Sequence, residues 1–241
     1  RVRLLRSTMI FDPNYWFILG PCLLLGMWAS ARVKSTFREY SQVGVSSGMT
    51  GAQAAEAVCR AGGANVTIER VGGFLSDHYD PRAKTLRLSP EVYDGRSVSS
   101  IAVGAHEAGH AIQDVKGYAW LGLRSSLVPA VQFGSRMWIW PIMIGLFMQG
   151  SAVGGTLMLI GIGLLAITVV FQLVTLPVEF DASNRAKAVL VSSGIVRTDA
   201  EQHGVSKVLG AAAMTYVAGA VTAVMTLLYW VMVLMRNQGD E

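Results

Sequence analysis

Residues 137–178 are MWIWPIMIGLFMQGSAVGGTLMLIGIGLLAITVVFQLVTLPV and contain no Asp, Glu, Lys or Arg. About 20 apolar residues are enough for a helix to cross the hydrocarbon of a bilayer, so this run is long enough for two crossings. Turn-forming residues at 149–151 and 154–155 divide it. The stretch predicts a transmembrane hairpin with helices at about 127–148 and 156–176, the second closed by Pro177. Arg136 then falls inside the first of them and must extend towards the headgroups.

Two further uncharged runs occupy residues 13–31 and 208–235. The chain is 52% hydrophobic and 15% charged, whereas soluble domains carry about 25% charged residues. Because this deficit is concentrated in the uncharged runs, a large soluble core does not explain it. We predict an α-helical integral membrane protein with about four transmembrane helices.

The polar parts of the chain predict a small α+β region. Residues 50–61 are expected to form a helix with Thr50 as N-cap and Gly62-Gly63 as its stop. Strands at 66–71 and 85–88, a turn at 77–81 and a helix at 97–115 follow. The predicted divisions are an N-terminal segment with helix 1 (1–31), the α+β region (32–126), the hairpin (127–178), a second polar segment (179–207), and helix 4 with its tail (208–241).

Composition excludes several classes of protein. Cys22 and Cys59 have neither metal-ligand spacing nor a disulfide framework. The pI is near 9.2, but the Lys and Arg residues form no dense basic block with interleaved aromatics, so a nucleic acid partner is not expected. No predicted membrane helix carries a central Asp, Glu or His, which argues against a transporter or channel.

His106-Glu107-Ala108-Gly109-His110 is an H-E-x-x-H motif. On a helix, residues i and i+4 share one face, so both imidazoles can reach the same ion. Glu107 lies one step round the helix and can contact a metal-bound water without binding the metal. The motif predicts one catalytic Zn²⁺ held by His106 and His110, with Glu107 as the general base. The alternative is a surface helix with two hydrogen-bonded histidines.

A catalytic zinc normally has three protein ligands. No His follows His110 at a short interval, and the better candidates are Glu179 and Asp181, just after the predicted hairpin. A hairpin returns the chain to the membrane face of His106, so topology permits either carboxylate. The residues alone leave this choice open, and either one is also explained as a favourable charge at a helix N-terminus.

Other polar residues have weaker claims. His78 could line a substrate cleft or simply be hydrogen-bonded in its turn. His203 or Tyr216 could donate a hydrogen bond to an oxyanion, although Tyr216 also fits an interfacial aromatic. The strand at 85–88 could pair with an extended substrate along its edge.

Seven segments carry a resemblance to a known family. They are Phe11-Asp12-Pro13, Arg32-Val33-Lys34-Ser35-Thr36-Phe37, Met49-Thr50-Gly51-Ala52, Asp77-His78-Tyr79-Asp80-Pro81, residues 105–113, residues 176–183 and residues 211–217. With these segments the chain resembles the bacterial YugP-like membrane zinc metallopeptidases over nearly its whole length. More distantly it is similar to the HtpX-type and CAAX-prenyl-protease group, whose third ligand is a Glu opening an E-x-x-A-D segment.

The resemblance has consequences for the site. Glu179 and Ala182 match the E-x-x-A-D segment, which favours Glu179 over Asp181 as third ligand and implies a gluzincin-like metallopeptidase region. Ser183 stands where the family has the Asp. A carboxylate at that place would orient a zinc-bound imidazole, so Asp181 or another group has to replace it.

Charge distribution predicts the orientation in the membrane. With four crossings, both halves of the site lie on one side and both termini on the other. Of the 20 Lys and Arg, only Arg1, Arg3, Arg6 and Arg236 fall on the terminal side, and the other 16 lie between residues 32 and 207. The positive-inside rule then places the site in the cytoplasm of a bacterial cell, in a multi-pass protein of the plasma membrane.

These features together predict a zinc-dependent endopeptidase of the membrane that hydrolyses membrane-associated or unfolded polypeptides by a zinc-activated water. Its partners are the lipid bilayer and a polypeptide substrate. The rival hypothesis is a non-proteolytic membrane scaffold or regulator that keeps the same fold. Intact His106, Glu107 and His110 argue against it, because a decayed site usually loses one of them.

Overall fold

The computed structural model describes residues 13–148 and 150–238. Predictions made for residues 1–12, for the turn residue Gln149 and for residues 239–241 lie outside the described residues. The helices and strands are α1 (Pro13–Ser41), α2 (Gly51–Gly62), β1 (Thr67–Arg70), β2 (His78–Asp80), β3 (Thr85–Leu88), α3 (Pro90–Tyr93), α4 (Val98–Val115), α5 (Ala119–Met137), α6 (Ile139–Phe147), α7 (Ala152–Ser192) and α8 (Asp199–Gln238).

The chain divides into two compact units. The first gathers the described residues of 13–28, 124–174 and 217–238, which include most of the uncharged runs. The second gathers residues 29–123 and 175–216 and contains the small sheet. Mostly helical structure with a small sheet agrees with the predicted combination of apolar helices and an α+β region.

Three of the described helices, α1, α7 and α8, are long and apolar enough to cross a membrane. They contain three of the four crossings predicted from the sequence. Two shorter helices, α5 and α6, occupy the place of the fourth predicted crossing. Pro141 has no N–H to donate to the carbonyl of Met137, which explains why α5 ends at Met137 and α6 begins at Ile139.

Glycines bring α5 and α6 against α7 inside the first unit. A Cβ placed on Gly145 would lie 2.6 Å from the carbonyl oxygen of Gly154, and one on Gly134 would lie 3.0 Å from that of Leu164. Small residues that allow such close backbone approach are typical of helix packing in membranes. The earlier glycine, Gly134, meets the later residue of α7, Leu164, and the later glycine, Gly145, meets the earlier residue, Gly154. Helices α5 and α6 are therefore antiparallel to α7.

The sheet of the second unit has the strand order β1-β3-β2. Strand β1 pairs parallel with β3, and β2 pairs antiparallel with it. The strands predicted at 66–71 and 85–88 are confirmed as β1 and β3. Because β3 has a partner on each side, the prediction that it offers a free edge to a substrate is wrong.

The turn predicted at 77–81 is also wrong, since His78–Asp80 form β2. The chain turns over the next residues instead, with Lys84 at a positive φ of 51°. The carboxylate of Asp80 accepts hydrogen bonds from the backbone N–H groups of Arg82 and Ala83. Asp80 therefore ends a strand and caps the turn that follows it. The turn-forming residues of 77–81 did not reveal that this segment contains a strand.

Helix α2 begins and ends as its sequence predicts. Thr50 and Gln53 form a reciprocal capping box, and Gly63 closes the helix in the left-handed conformation with φ 78°. Such a cap stabilises a helix by about 1 kcal/mol. α2 packs on α4, where a Cβ on Gly104 would lie 2.5 Å from the carbonyl oxygen of Gly51. This contact places α4 at the centre of the second unit's core.

Helix α7 does not stop at Pro177 but continues to Ser192. A proline inside a helix costs about 3 kcal/mol through the lost hydrogen bond and the ring clash. Beyond it, Val178, Ala182 and Ala186 are fully buried, and this burial outweighs the cost. Residues 179–192 are therefore part of α7, and Glu179 lies within a helix rather than at a helix N-terminus.

The thiol of Cys59 is expected to be inert in the folded protein. Burial, reinforced by the nearby Glu56 carboxylate, raises the pKa of Cys59 from 9.0 to about 12. At pH 8 the reactive thiolate is then on the order of a thousandfold scarcer than in an unfolded chain. With Cys22 replaced by Ala, a disulfide reagent such as Ellman's should react only after denaturation. Rapid reaction of the native protein would contradict the burial of this side chain.

Candidate metal centre

The two motif histidines lie one turn apart on α4. Ser97 caps the start of the helix, because its hydroxyl accepts a hydrogen bond from the N–H of Ser100. The apolar face of the helix is buried in the core. The rings of His106 and His110 meet edge to face with centroids 4.8 Å apart. Their spacing on the helix therefore brings both imidazoles to one place, as the motif predicts.

Glu179 approaches the two histidines from α7. Its Oε2 lies 3.2 Å from Nε2 of His106 and 3.6 Å from Nε2 of His110. One ligand atom from each of the three residues can be chosen so that all lie within 4.8 Å of one another. Only 3% of the Glu179 side chain is exposed. The structure thus joins Glu179 to the histidines, as the resemblance implies.

A close contact between α4 and α7 makes this convergence possible. A Cβ on Gly109 would lie 2.5 Å from the carbonyl oxygen of Ala182. Gly109 stands between the two histidines in the sequence, and Ala182 stands between Glu179 and Ser183. The helix backbones therefore touch at the level of the grouped side chains, and only glycine leaves room for the contact.

The outer nitrogen of each imidazole has its own partner. Nδ1 of His106 lies 3.1 Å from Oγ of Ser183, and Nδ1 of His110 lies 3.0 Å from Oε1 of Gln113. Both rings therefore turn Nε2 towards Glu179. Sequence reasoning did not identify Gln113, although its position three residues after His110, on the same face of α4, was a usable signal.

The Asp181 carboxylate has partners other than the two histidines. Its Oδ2 accepts hydrogen bonds from Nε2 of Gln113 at 2.8 Å and from Nε of Arg185 at 2.5 Å. Among the described residues, the group that could hold a metal contains Glu179 and not Asp181. Of the two carboxylates that the residues alone left open, the structure groups Glu179 with the histidines, which is the one that the resemblance favours.

Acidic side chains dominate the electrostatics around His110. Burial by itself would lower the pKa of this imidazole, but the carboxylates of Glu179 and Glu107 outweigh burial and raise it. Burial also raises the pKa of Asp77, against the hydrogen bonds that its carboxylate accepts from Ser89, and the charge of Glu107 adds to this rise. The carboxylates of Glu179 and Glu107 therefore favour a positive charge at His110.

The donor set fits zinc. Two imidazoles and one carboxylate are the ligands of one class of catalytic zinc sites, in which a further position stays open. Glu107 is buried on α4 beside this group, with 9% of its surface exposed, and is not a member of it. His78 and His203 are exposed and also lie outside the group.

Comparison with known proteins agrees with this geometry. A profile of the family described as "Putative neutral zinc metallopeptidase" matches residues 15–235. The chain therefore belongs to this zinc metallopeptidase family.

A curated relative gives the same result. The "Putative membrane protease YugP" of Bacillus subtilis (strain 168) is 45% identical over 228 residues, which cover 93% of this chain and 98% of the relative. The YugP-like resemblance found in the sequence is confirmed. No solved structure matches the chain.

Proposed function

We propose that this protein is a membrane-embedded zinc-dependent endopeptidase that cleaves membrane-associated or unfolded polypeptides. The observation that carries the proposal is the convergence of His106 Nε2, His110 Nε2 and Glu179 Oε2 beside a buried Glu107. Membership of a zinc metallopeptidase family supports it, and so does the relative named as a membrane protease.

Each residue of the site has a definite task in this mechanism. His106, His110 and Glu179 would hold one zinc ion, which would supply Lewis-acid activation of the scissile carbonyl and a lowered pKa for a bound water. Glu107 accepts a proton from the attacking water and passes it to the leaving amine nitrogen. Ser183 and Gln113 keep the Nδ1 sides of the two imidazoles occupied, which leaves their Nε2 atoms to bind the ion. The residue that donates a hydrogen bond to the oxyanion stays a prediction, and the two candidates are His203 and Tyr216.

Cleavage of an unfolded protein tests the proposal. The full chain, purified in detergent and loaded with zinc, is incubated with unfolded casein carrying a fluorescent label. Cleavage that stops with a zinc chelator and returns with added zinc is the expected result. If the protein binds zinc tightly but cuts neither casein nor detergent-solubilised membrane proteins, the scaffold hypothesis replaces the peptidase one. If it binds no zinc, the metal centre itself is refuted.

We also infer that the chain crosses the membrane four times. The polar stretches 32–123 and 179–207 belong to one compact unit, so they lie on one side of the bilayer. Between them the chain passes through α5, α6 and α7. If α7 crosses once, α5 and α6 together must supply the opposite crossing. The antiparallel packing of Gly134 and Gly145 against α7 supports this.

Labelling of single cysteines tests the topology and the cytoplasmic site. Ser151, between α6 and α7, and Ser192, at the end of α7, are both exposed. Each is changed to Cys in a chain with Cys22 and Cys59 replaced by Ala, expressed in a bacterial plasma membrane. A membrane-impermeant maleimide should label Ser151→Cys from outside and Ser192→Cys only after permeabilisation. The opposite pattern would place the site outside the cell, and equal labelling would refute a crossing by α7.

A further inference from the structure

Gln113 is a fully buried side chain with three hydrogen-bonding contacts. Its exposed fraction is 0%. Its Oε1 faces Nδ1 of His110 at 3.0 Å, and its Nε2 donates to the carbonyl of Val178 and to Oδ2 of Asp181, each at 2.8 Å. One buried amide therefore connects a predicted zinc ligand on α4 with two acceptors on α7.

The chemistry of these partners fixes the orientation of the amide. A backbone carbonyl and a carboxylate are acceptors only, so the NH₂ group of Gln113 has to face Val178 and Asp181. The reversed amide would set its oxygen against both of them. Oε1 is consequently held towards His110, and an oxygen there requires a proton on Nδ1. The neutral imidazole then has its lone pair on Nε2, the atom turned towards Glu179.

Asp181 is itself held in place as an anion. Arg185, one turn further along α7, donates from Nε to the same carboxylate, and its guanidinium lies over the ring of Tyr118 at 5.5 Å from the centroid. A charged carboxylate is a stronger acceptor than a neutral oxygen, so it holds the NH₂ of Gln113 more firmly than a carbonyl alone.

We propose that Gln113, anchored by Asp181, is a positioning residue that fixes His110 in the tautomer and ring orientation that bind zinc through Nε2. This inference rests on the proposed zinc site. It also assigns a role to Asp181, which acts through Gln113 on His110, whereas Ser183 contacts the other imidazole, that of His106. Partners of this kind typically change metal affinity 10- to 100-fold when they are removed.

Zinc affinity, measured with Zn²⁺ alone, tests the inference without any peptidase assay. The full chain in detergent competes with a chromogenic chelator for zinc at constant pH. Gln113→Leu should weaken binding about 10- to 100-fold. Ser99→Ala is the matched control, because Ser99 is a buried polar residue of α4 that donates to the carbonyl of Phe37, away from the ligands. This control should bind zinc as the parent does.

A reciprocal exchange separates positioning from simple packing. Gln113→Glu alone sets two carboxylates against each other and should bind zinc poorly. Adding Asp181→Asn provides an NH₂ that donates to the new carboxylate, which still accepts the proton of His110 Nδ1. Part of the affinity should therefore return; the rest stays lost in both variants, because the Val178 carbonyl has no donor in either of them. ¹⁵N spectra of histidine should show Nδ1 protonated at His110 in the parent and in the exchanged protein.

The outcomes are distinct. Parental zinc affinity in Gln113→Leu, or no recovery on adding Asp181→Asn to Gln113→Glu, would overturn the positioning role. The comparison of the single and double exchange variants decides the matter even if Gln113→Leu fails to fold. A parent chain that binds no zinc would instead refute the proposed metal centre, and with it this inference.

Discussion

Replacing Glu107 with glutamine is expected to lower the turnover of an unfolded substrate by about 10²- to 10⁴-fold, the usual contribution of a general base. The amide has nearly the shape of the carboxylate but cannot accept a proton from water. Zinc content should stay unchanged, because Glu107 lies outside the group formed by His106, His110 and Glu179. Turnover of labelled casein and zinc bound per chain are measured on the same preparation.

The matched control is Glu56→Gln, which makes the same chemical change on the exposed face of α2, where 62% of the side chain is accessible. It should cut as fast as the parent chain. Equal activity in Glu107→Gln would mean that another group acts as the base or that a contaminating protease is responsible. Loss of zinc together with activity would make Glu107 a ligand or a structural residue instead.

Replacing Gly109 with alanine is expected to destroy the metal centre from a position that is not a ligand. The added Cβ would lie 2.5 Å from the Ala182 carbonyl oxygen and 3.2 Å from its Cα, so α4 and α7 have to separate. Because metal–ligand distances in real sites stay within about 0.2 Å of their standard values, zinc affinity should fall by on the order of 100-fold or more. Calorimetric titration with Zn²⁺ measures the loss.

The effect of this change on folding depends on two opposing terms. Alanine improves helix propensity over glycine by about 1 kcal/mol, whereas overpacking a core costs about 1–3 kcal/mol, so a net loss of stability is expected. Gly122→Ala in α5 is the control, since a Cβ there meets nothing within 4 Å. It should raise the melting temperature slightly and leave zinc binding unchanged. Parental zinc affinity in the Gly109→Ala variant would contradict the close contact of the two helices.

The parts of the fold that the sequence predicted are those governed by local chemistry. Thr50 with Gln53 begins α2 and Gly63 ends it, because caps act within one helical turn. His106 and His110 meet because their spacing matches the period of a helix. The grouping with Glu179 depended on the resemblance, since spacing alone did not distinguish it from Asp181.

The parts that the sequence did not predict depend on burial across the fold. Pro177 is a local stop signal, and only the burial of Val178 and Ala182 against distant residues carries α7 through it. In the sequence, Gln113 is one more polar residue near the end of α4. Its partners, Asp181 and Val178, are identified only in the folded chain. These partners of Gln113 lie more than 60 positions away along the chain.

The unbroken course of α7 also fixes how far Glu179 lies from the end of the uncharged run. The uncharged run ends at Val178 and Glu179 is the next residue, on a helix that rises about 1.5 Å per residue. Glu179, the proposed third ligand, thus stands within about one helical turn of the last apolar residues of the run, with no flexible linker between them. On the proposed function, with this run in the bilayer, a peptide bond has to come close to the lipid surface to be cut. That proposal favours substrates that emerge from the bilayer or lie along it over compact proteins in bulk solution.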